Sequence, residues 1–251
     1  MPEIQETFLS HLIELRERLV RSLVAIGILL IPALYYSSQL YDLLALPLMR
    51  ALPPGAHMIA TGVITPFLIP MKISMMAAFL GALPYVLYQA WAFVAPGLYA
   101  HEKRLVLPLV VSSTVLFFAG MGFCYFIVFG RVFAFIASFA PQSVVVAPDI
   151  EAYFTFVLGM FMAFGLAFEV PVVVVLLVLS GIISVEQLRE FRGYVVVGIF
   201  TLAAFITPPD AVSMISLAIP MCLLYEAGIL AAVLVQKRRK ERDSLGEPKR
   251  E

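Results

Sequence analysis

The sequence predicts an all-α integral membrane protein with six transmembrane helices, on three observations. Hydrophobic residues make up 62% of the 251 residues, charged residues make up only 14%, and the mean hydropathy is +0.98. Soluble domains are about 45–50% apolar and about 25% charged, so much of this surface must face lipid. The chain also contains apolar runs of about 20 residues, which is the length that crosses a bilayer. Finally, its basic residues are concentrated in alternate connections.

Four long runs and one interrupted run make up the six expected spans. Pro208 and Pro209 interrupt the last run, and proline cannot continue a helix, so we expect a tight turn between two shorter spans. The fifth span has about 14 residues, or about 21 Å, so either the membrane thins there or the last pair is re-entrant. The predicted spans cover residues 22–41, 71–95, 105–129, 152–179, 194–207 and 211–235.

The placement of Lys and Arg predicts the orientation. The connections 1–21, 96–104, 180–193 and 236–251 carry three, two, two and seven basic residues, which is 14 of the 17 in the chain. The positive-inside rule puts these connections and both termini in the cytoplasm. We expect a single transmembrane domain over 1–235, which includes an amphipathic helix over 7–21, followed by a basic cytoplasmic tail over 236–251.

Composition and motifs exclude several classes of function. A formal net charge of zero argues against a nucleic-acid-binding protein, in which a basic excess is expected. The chain has no Walker or Rossmann glycine pattern and no His-Glu-x-x-His motif, so we expect no cofactor, no metal and no catalysis. All three histidines lie outside the predicted spans, which argues against an intramembrane Ser-His protease. Cys124 and Cys222 form neither a disulfide framework nor a zinc site.

The segment 8–21 has the spacing of an amphipathic helix, whose apolar face is formed by Phe8, Leu12, Leu15 and Leu19. Its polar face carries two acid-to-base pairs at i,i+4 spacing, Glu14 with Arg18 and Glu17 with Arg21. Ordinary surface pairs on an interfacial helix explain this pattern, since each is worth only about 0.2–0.5 kcal/mol. A binding role for one of the carboxylates is the alternative.

A second cluster follows the second predicted span, over residues 91–104. Trp91 and Tyr99 suit the aromatic belt at the membrane surface. Glu102 suits the start of a helix, where the helix dipole favours a carboxylate. Glu14 and Glu102 would form one site if the fold brought them together, which sequence spacing cannot show.

Five segments, in this order and spacing across nearly the whole chain, resemble the TatC family: HLIELR (11–16), WAFVAPGLYAHEKR (91–104), MAFGLAFEVP (162–171), TPPD (207–210) and AIPM (218–221). The resemblance implies a cupped bundle of six helices in the bacterial cytoplasmic (inner) membrane. It also implies a function, which is to bind the twin-arginine signal peptides of folded cargo and to assemble with TatA and TatB for export.

The resemblance also implies roles for individual residues. The residues implied to bind the signal peptide are Glu14, Arg16, Phe93 and Glu102. Further residues that match the family are Pro47 in the first external loop, Glu169 in the fourth span and Asp210 in the last turn. The polar residues left for contact with a partner helix are Thr207, Ser213 and Ser216, because Met214 stands where some relatives carry an amide.

The chemistry of Glu14 and Glu102 suits this function. The planar guanidinium of arginine offers a fork of donors that matches a carboxylate. Two adjacent arginines therefore need two acceptors, which these glutamates supply. Charge-assisted bidentate bonds are roughly twice as strong as neutral ones and are geometrically selective, so a lysine pair of equal charge would bind less well.

Glu169 has two interpretations, because a charge at mid-bilayer costs roughly 2.5–3.5 kcal/mol. Its carboxyl could be neutral or bonded inside the bundle, with a structural role. Alternatively, it could face the interior of the cup and contact a polar side chain of a TatA or TatB helix, beside a notch formed by Gly165 and Pro171. An intramembrane carboxyl also raises the alternative of an ion-coupled secondary transporter of a small solute, although no inverted repeat is visible.

Overall fold

The computed structural model describes residues 2–52, 57–98, 106–138, 147–206 and 211–244, and this part of the chain is almost entirely helical. A π-helical turn, Cys124–Val128, joins the helix that ends at Phe123 to the helix that begins at Phe129 without a loop. The helices are α1 (Pro2–Tyr35), α2 (Ser37–Ala51), α3 (Thr65–Leu98), α4 (Val106–Phe123), α5 (Phe129–Ser138), α6 (Ile150–Ala167), α7 (Val170–Leu179), α8 (Val185–Glu190), α9 (Arg192–Ile206) and α10 (Ala211–Ser244).

The predicted class, a polytopic all-α membrane protein, is confirmed. Among the described residues, five helical stretches are long and apolar enough to cross a membrane, and Arg192–Phe205 is a shorter apolar helix. The fifth span is therefore short, as predicted. The prediction that the sixth is also short was wrong, because its apolar stretch, Ala211–Lys237, has 27 residues. Lys, Arg and Glu are good helix formers, so the basic segment continues α10 to Ser244.

Two predicted boundaries at the N-terminus differ from the structure. The amphipathic segment 7–21 and the first span are one continuous helix, α1, rather than two elements. The span predicted to reach residue 41 ends at Tyr35, and a turn at Tyr36 starts α2. Apolar residues continue on both sides of Tyr36, so hydropathy does not mark this turn.

The chain divides into two compact units. Unit 1 comprises Met1–Val115 and Cys124–Phe161, and unit 2 comprises Leu116–Phe123 and Met162–Glu251. In unit 1, α1 packs along α3. The wholly buried Ser74 donates its hydroxyl to the carbonyls of Ala33 (3.0 Å) and Pro70 (2.8 Å), which ties α3 to the end of α1.

A backbone clamp in unit 1 joins the segment before α3 to the start of α6. The amide of Ile59 donates to Pro148 O and the carbonyl of Ile59 accepts from Ile150 N, both at 2.9 Å. The amide and hydroxyl of Thr61 donate to Asp149 Oδ2 at 3.1 and 2.7 Å. Asp149 Oδ1 also accepts from the first amides of α6. These bonds, the Thr61 hydroxyl first among them, lower the pKa of the Asp149 carboxyl.

An aromatic cluster lies between α2, α5 and α6 in unit 1. The ring centroids of Phe129 and Phe161 lie 5.4 Å apart, and those of Phe133 and Tyr153 lie 5.5 Å apart. Such offset and tilted pairs are worth about 0.5–1.5 kcal/mol beyond their buried area. The cluster comprises Tyr41, Phe129, Phe133, Tyr153, Phe154, Phe156 and Phe161.

In unit 2, a break separates α6 from α7. Pro171 has no amide to give to the carbonyl of Ala167, so α6 ends there and α7 begins at Val170. Residues Phe168 and Glu169 form the turn between them. The break falls where the sequence places Pro171.

The other helices of unit 2 form one core. Gly181, whose φ of 73° lies in the left-handed region, ends α7. Ser184 and Gln187 then start α8 with reciprocal side-chain-to-amide bonds. Residues of α7, α8 and α10 pack together, and the Tyr225 hydroxyl donates to the carbonyl of Leu188 at 2.8 Å. The buried members are Val174, Val178, Val185, Leu188, Tyr225, Ile229 and Ala232.

Gly228 allows the close approach of α10 and α7. A Cβ at this position would lie 2.9 Å from Pro171 Cα and 3.1 Å from Val174 Cβ, and the first contact is with backbone. Gly228→Ala should therefore force the helices apart and cost about 1–3 kcal/mol, as overpacked cores do. The measurement is thermal unfolding in detergent, followed by circular dichroism.

Gly198 in α9 of the same unit is the matched control, because a Cβ there would meet nothing within 4 Å. Gly198→Ala should leave the protein as stable as the parent or stabilise it, since alanine is the better helix former by about 1 kcal/mol. Equal unfolding temperatures for the two variants would contradict the close packing of α10 on α7.

Candidate functional site

The predicted pair of Glu14 and Arg18 is present in unit 1, on the polar face of α1. Arg18 donates from Nε (3.0 Å) and Nη2 (2.5 Å), and both bonds end on Glu14 Oε1. A carboxylate has a second oxygen with its own lone pairs, so the pair does not use the full acceptor capacity of Glu14. The Glu14 side chain is 42% exposed and that of Arg18 is 21% exposed. Glu14 is therefore held in place but is still accessible.

Arg18 also connects α1 to α3. Its Nη1 donates to Gln89 Oε1 at 3.3 Å, and Gln89 is only 5% exposed. The fork of the guanidinium thus bridges a carboxylate on one helix and an amide on the other. Sequence reasoning missed Gln89, although an amide within an otherwise apolar span was a signal that could have found it.

The other acid-to-base pair of α1 differs from the first. Glu17 and Arg21 form the expected pair at 3.3 Å, and both side chains are about 60% exposed. No bond from this pair to α3 is present among the described residues. Arg16, predicted from the resemblance, is exposed. Glu14 is therefore the carboxylate of α1 that is braced against a second helix.

The end of α3 carries Phe93, four residues after Gln89 and hence on the same helical face. Phe93 is half-buried. Trp91 Nε1 donates to the hydroxyl of the fully buried Ser113 at 3.0 Å, which fastens this end of α3 to α4. The sequence had suggested only an interfacial position for Trp91. Glu102 lies outside the described residues, so its distance from Glu14 stays a prediction.

Glu169 lies in unit 2, in the turn between α6 and α7, and is 9% exposed. This burial favours the structural interpretation of its carboxyl over open contact with a partner helix. The space at Gly165 is already occupied, because a side chain there would collide with the ring of Phe117. The notch inferred from the sequence is therefore filled by this chain itself.

The remaining predicted residues are dispersed. Pro47 lies inside α2 and is half-buried. On α10, Ser213 is fully buried, whereas Ser216 is partly exposed, so Ser216 is the better placed of the two for contact with a partner. Thr207 and Asp210 lie outside the described residues.

Within the described ranges, no group of three His, Cys, Asp or Glu side chains could hold a metal ion.

Comparisons with known proteins identify the family. Residues 10–220 match the family described as Sec-independent protein translocase protein (TatC). The chain is 45% identical over 236 residues to the Sec-independent protein translocase protein TatC of Haemophilus influenzae, covering 94% of this chain and 92% of the relative. It is 48% identical over 227 residues to that of Escherichia coli, covering 90% of this chain and 88% of the relative.

The fold agrees with these matches. A solved structure described as the crystal structure of twin arginine translocase receptor TatC is similar, with a TM-score of 0.78 and 38% sequence identity. The similarity covers 90% of this chain and 99% of the solved one. On these matches, the chain belongs to the TatC family of Sec-independent protein translocase subunits.

Proposed function

We propose that this chain is the signal-peptide receptor and core subunit of a twin-arginine translocation system, which exports folded proteins across the bacterial cytoplasmic membrane. Its relatives are named translocase proteins, which supports a translocation subunit rather than an ion-coupled transporter of a small solute. The observation that carries the receptor role is the Glu14 carboxylate, exposed yet held by Arg18, which is itself held by Gln89.

The geometry of Glu14 suits recognition of a guanidinium. Because Arg18 bonds only to Oε1, Oε2 keeps acceptor capacity for a donor from a peptide. The bond from Arg18 to Gln89 restrains the Arg18 side chain, and through it Glu14, before any peptide binds. A pre-organised acceptor loses less rotamer freedom on binding, and such ordering otherwise costs about 0.5–1.5 kcal/mol per side chain.

The other members of the site complete the proposal. Glu102 supplies the second acceptor for the arginine pair, and the exposed Arg16 contacts the peptide backbone or an acidic group near the motif. Phe93, half-buried on the face of α3 that carries Gln89, offers an aromatic surface to the apolar part of a signal peptide. The role of Glu102 rests on the family resemblance alone, and the roles of Arg16 and Phe93 rest also on their positions in the structure.

The assembly is proposed on the same basis. Both termini lie in the cytoplasm, and the chain functions as an oligomer with TatA and TatB, which contact it through α10 around Ser216. The chain performs no catalysis, and the energy for transport comes from outside it. The buried Glu169 side chain has a structural role in the turn between α6 and α7.

Glu14→Ala should weaken the binding of a twin-arginine peptide at least tenfold while the protein still inserts in the membrane. The variant leaves a guanidinium without its acceptor, which costs about 1.5–3 kcal/mol for a charged hydrogen bond. The measurement is the affinity of a fluorescent signal peptide for the purified full-length protein in lipid nanodiscs.

Glu17→Ala is the matched control for Glu14→Ala. It removes the same group from the same helix and also breaks a pair with an arginine, but Glu17 is not braced against α3. Binding should change less than threefold, within about 0.6 kcal/mol. Equal losses in the two variants would mean that general negative charge, not a placed acceptor, recognises the peptide.

The proposed orientation predicts the labelling of two exposed positions, Arg50 at the end of α2 and Arg189 in α8. In a background that lacks Cys124 and Cys222, a cysteine at position 50 should react with a membrane-impermeant maleimide from outside the cell. A cysteine at position 189 should react only in inverted vesicles. Labelling of position 50 only from the cytoplasmic side would contradict the orientation.

A further inference from the structure

Pro47 interrupts the hydrogen bonding of α2 at one identifiable atom. It lies in the interior of the helix Ser37–Ala51 and has no amide proton. In an α-helix the amide of residue 47 would donate to the carbonyl of residue 43, so Pro47 deprives the Leu43 carbonyl of its helical donor. A backbone carbonyl that loses its helical donor needs another hydrogen-bond partner, either a side chain or water.

A side chain supplies the missing donor. The hydroxyl of Tyr125 donates to the Leu43 carbonyl at 2.8 Å. The next carbonyl of α2, that of Leu44, accepts from the hydroxyl of Tyr153 at 2.6 Å. Two tyrosines from elsewhere in unit 1 therefore bond adjacent backbone carbonyls of α2, and one of those carbonyls is the one that the proline makes available.

Both tyrosines are held by their surroundings. Tyr153 is buried in α6, with its ring 4.9 Å from Phe154 and 5.5 Å from Phe133 between centroids. Tyr125 lies in the π-helical turn Cys124–Val128, with its ring 5.0 Å from Phe126 and 6.3 Å from Phe161. A π-turn inserts one residue and rotates the side chains that follow by about 100°. The turn therefore helps to set the direction of Tyr125 relative to the rest of its helix.

We propose that Pro47 acts by exposing the Leu43 carbonyl as an acceptor for Tyr125, and that Tyr125 and Tyr153 are positioning residues that dock α2 onto the π-turn and α6. Pro47 thus contributes to the placement of α2, because it leaves the Leu43 carbonyl available as the acceptor for the Tyr125 hydroxyl. This role concerns the placement of α2 and does not depend on recognition of a signal peptide.

The test is hydrogen exchange of peptides from α2, measured by mass spectrometry on the full-length protein in lipid nanodiscs. Tyr125→Phe keeps the ring and removes only the hydroxyl, so it should speed exchange in α2 about threefold to tenfold, the size of one lost hydrogen bond. In a Pro47→Ala background the same change should have less than a twofold effect, because the new amide of residue 47 satisfies Leu43.

Tyr153→Phe is the matched control, because its acceptor is the Leu44 carbonyl, whose place in the helical pattern corresponds to the amide of residue 48 and not to that of residue 47. Its effect on exchange in α2 should be the same with Pro47 as with Pro47→Ala. An equal effect of Tyr125→Phe in the two backgrounds, or no effect with Pro47 present, would overturn the proposal. Neither result would bear on the receptor role of Glu14, which is tested by peptide binding.

Discussion

A carbonyl or amide inside a lipid bilayer cannot use water as its partner, and this structure depends on that constraint. Continuous helices satisfy it residue by residue, so the difficult positions are those where a helix turns or breaks. At several of them a side chain bonds the backbone directly. Ser74 donates to the Ala33 carbonyl within the apolar spans, and at carbonyls outside them Tyr125 donates to Leu43 before Pro47 and Tyr225 donates to Leu188 at α8. These hydroxyls connect elements distant in sequence, so the same bonds also determine which helices pack together.

The candidate binding site uses the same principle with charged groups. Arg18 lies near the middle of α1, and its guanidinium reaches both Glu14 and Gln89. An arginine fork therefore joins the two helices in addition to their packing along each other. The Glu14 carboxylate is held by an arginine that is itself bonded to α3, whereas the pair of Glu17 with Arg21 lies on α1. Selectivity for arginine over lysine requires an acceptor held in this way, because the two differ in geometry and not in charge.

The sequence predicted what depends on local patterns. Apolar run length gave the spans, Pro171 indicated the break before α7, and i,i+4 spacing indicated the pair of Glu14 and Arg18. The turn at Tyr36 left no hydropathy signal. An amide within an apolar span marks Gln89 in the sequence, but its bond with Arg18 joins residues 71 positions apart, and no periodicity reports such a contact.

The role of Pro47 was invisible for the same reason. The family resemblance placed Pro47 in an external loop, so the sequence showed neither that the Leu43 carbonyl loses a helical donor nor that Tyr125 supplies another. The length of the sixth helix was underestimated because hydropathy ends with the apolar residues, whereas a basic helix in water continues. Glu102, Thr207 and Asp210 remain predictions from the family resemblance.

Photocrosslinking tests whether Glu14 is a placed acceptor for a twin-arginine signal peptide. A photoreactive phenylalanine analogue at position 93 leaves Glu14 intact and lies on the face of α3 that carries Gln89. If Glu14 is a placed acceptor, we expect strong crosslinking to a peptide with Arg-Arg, at least tenfold less to one with Lys-Lys, and loss of this difference in Glu14→Gln. Equal crosslinking of the two peptides with Glu14 intact would contradict it.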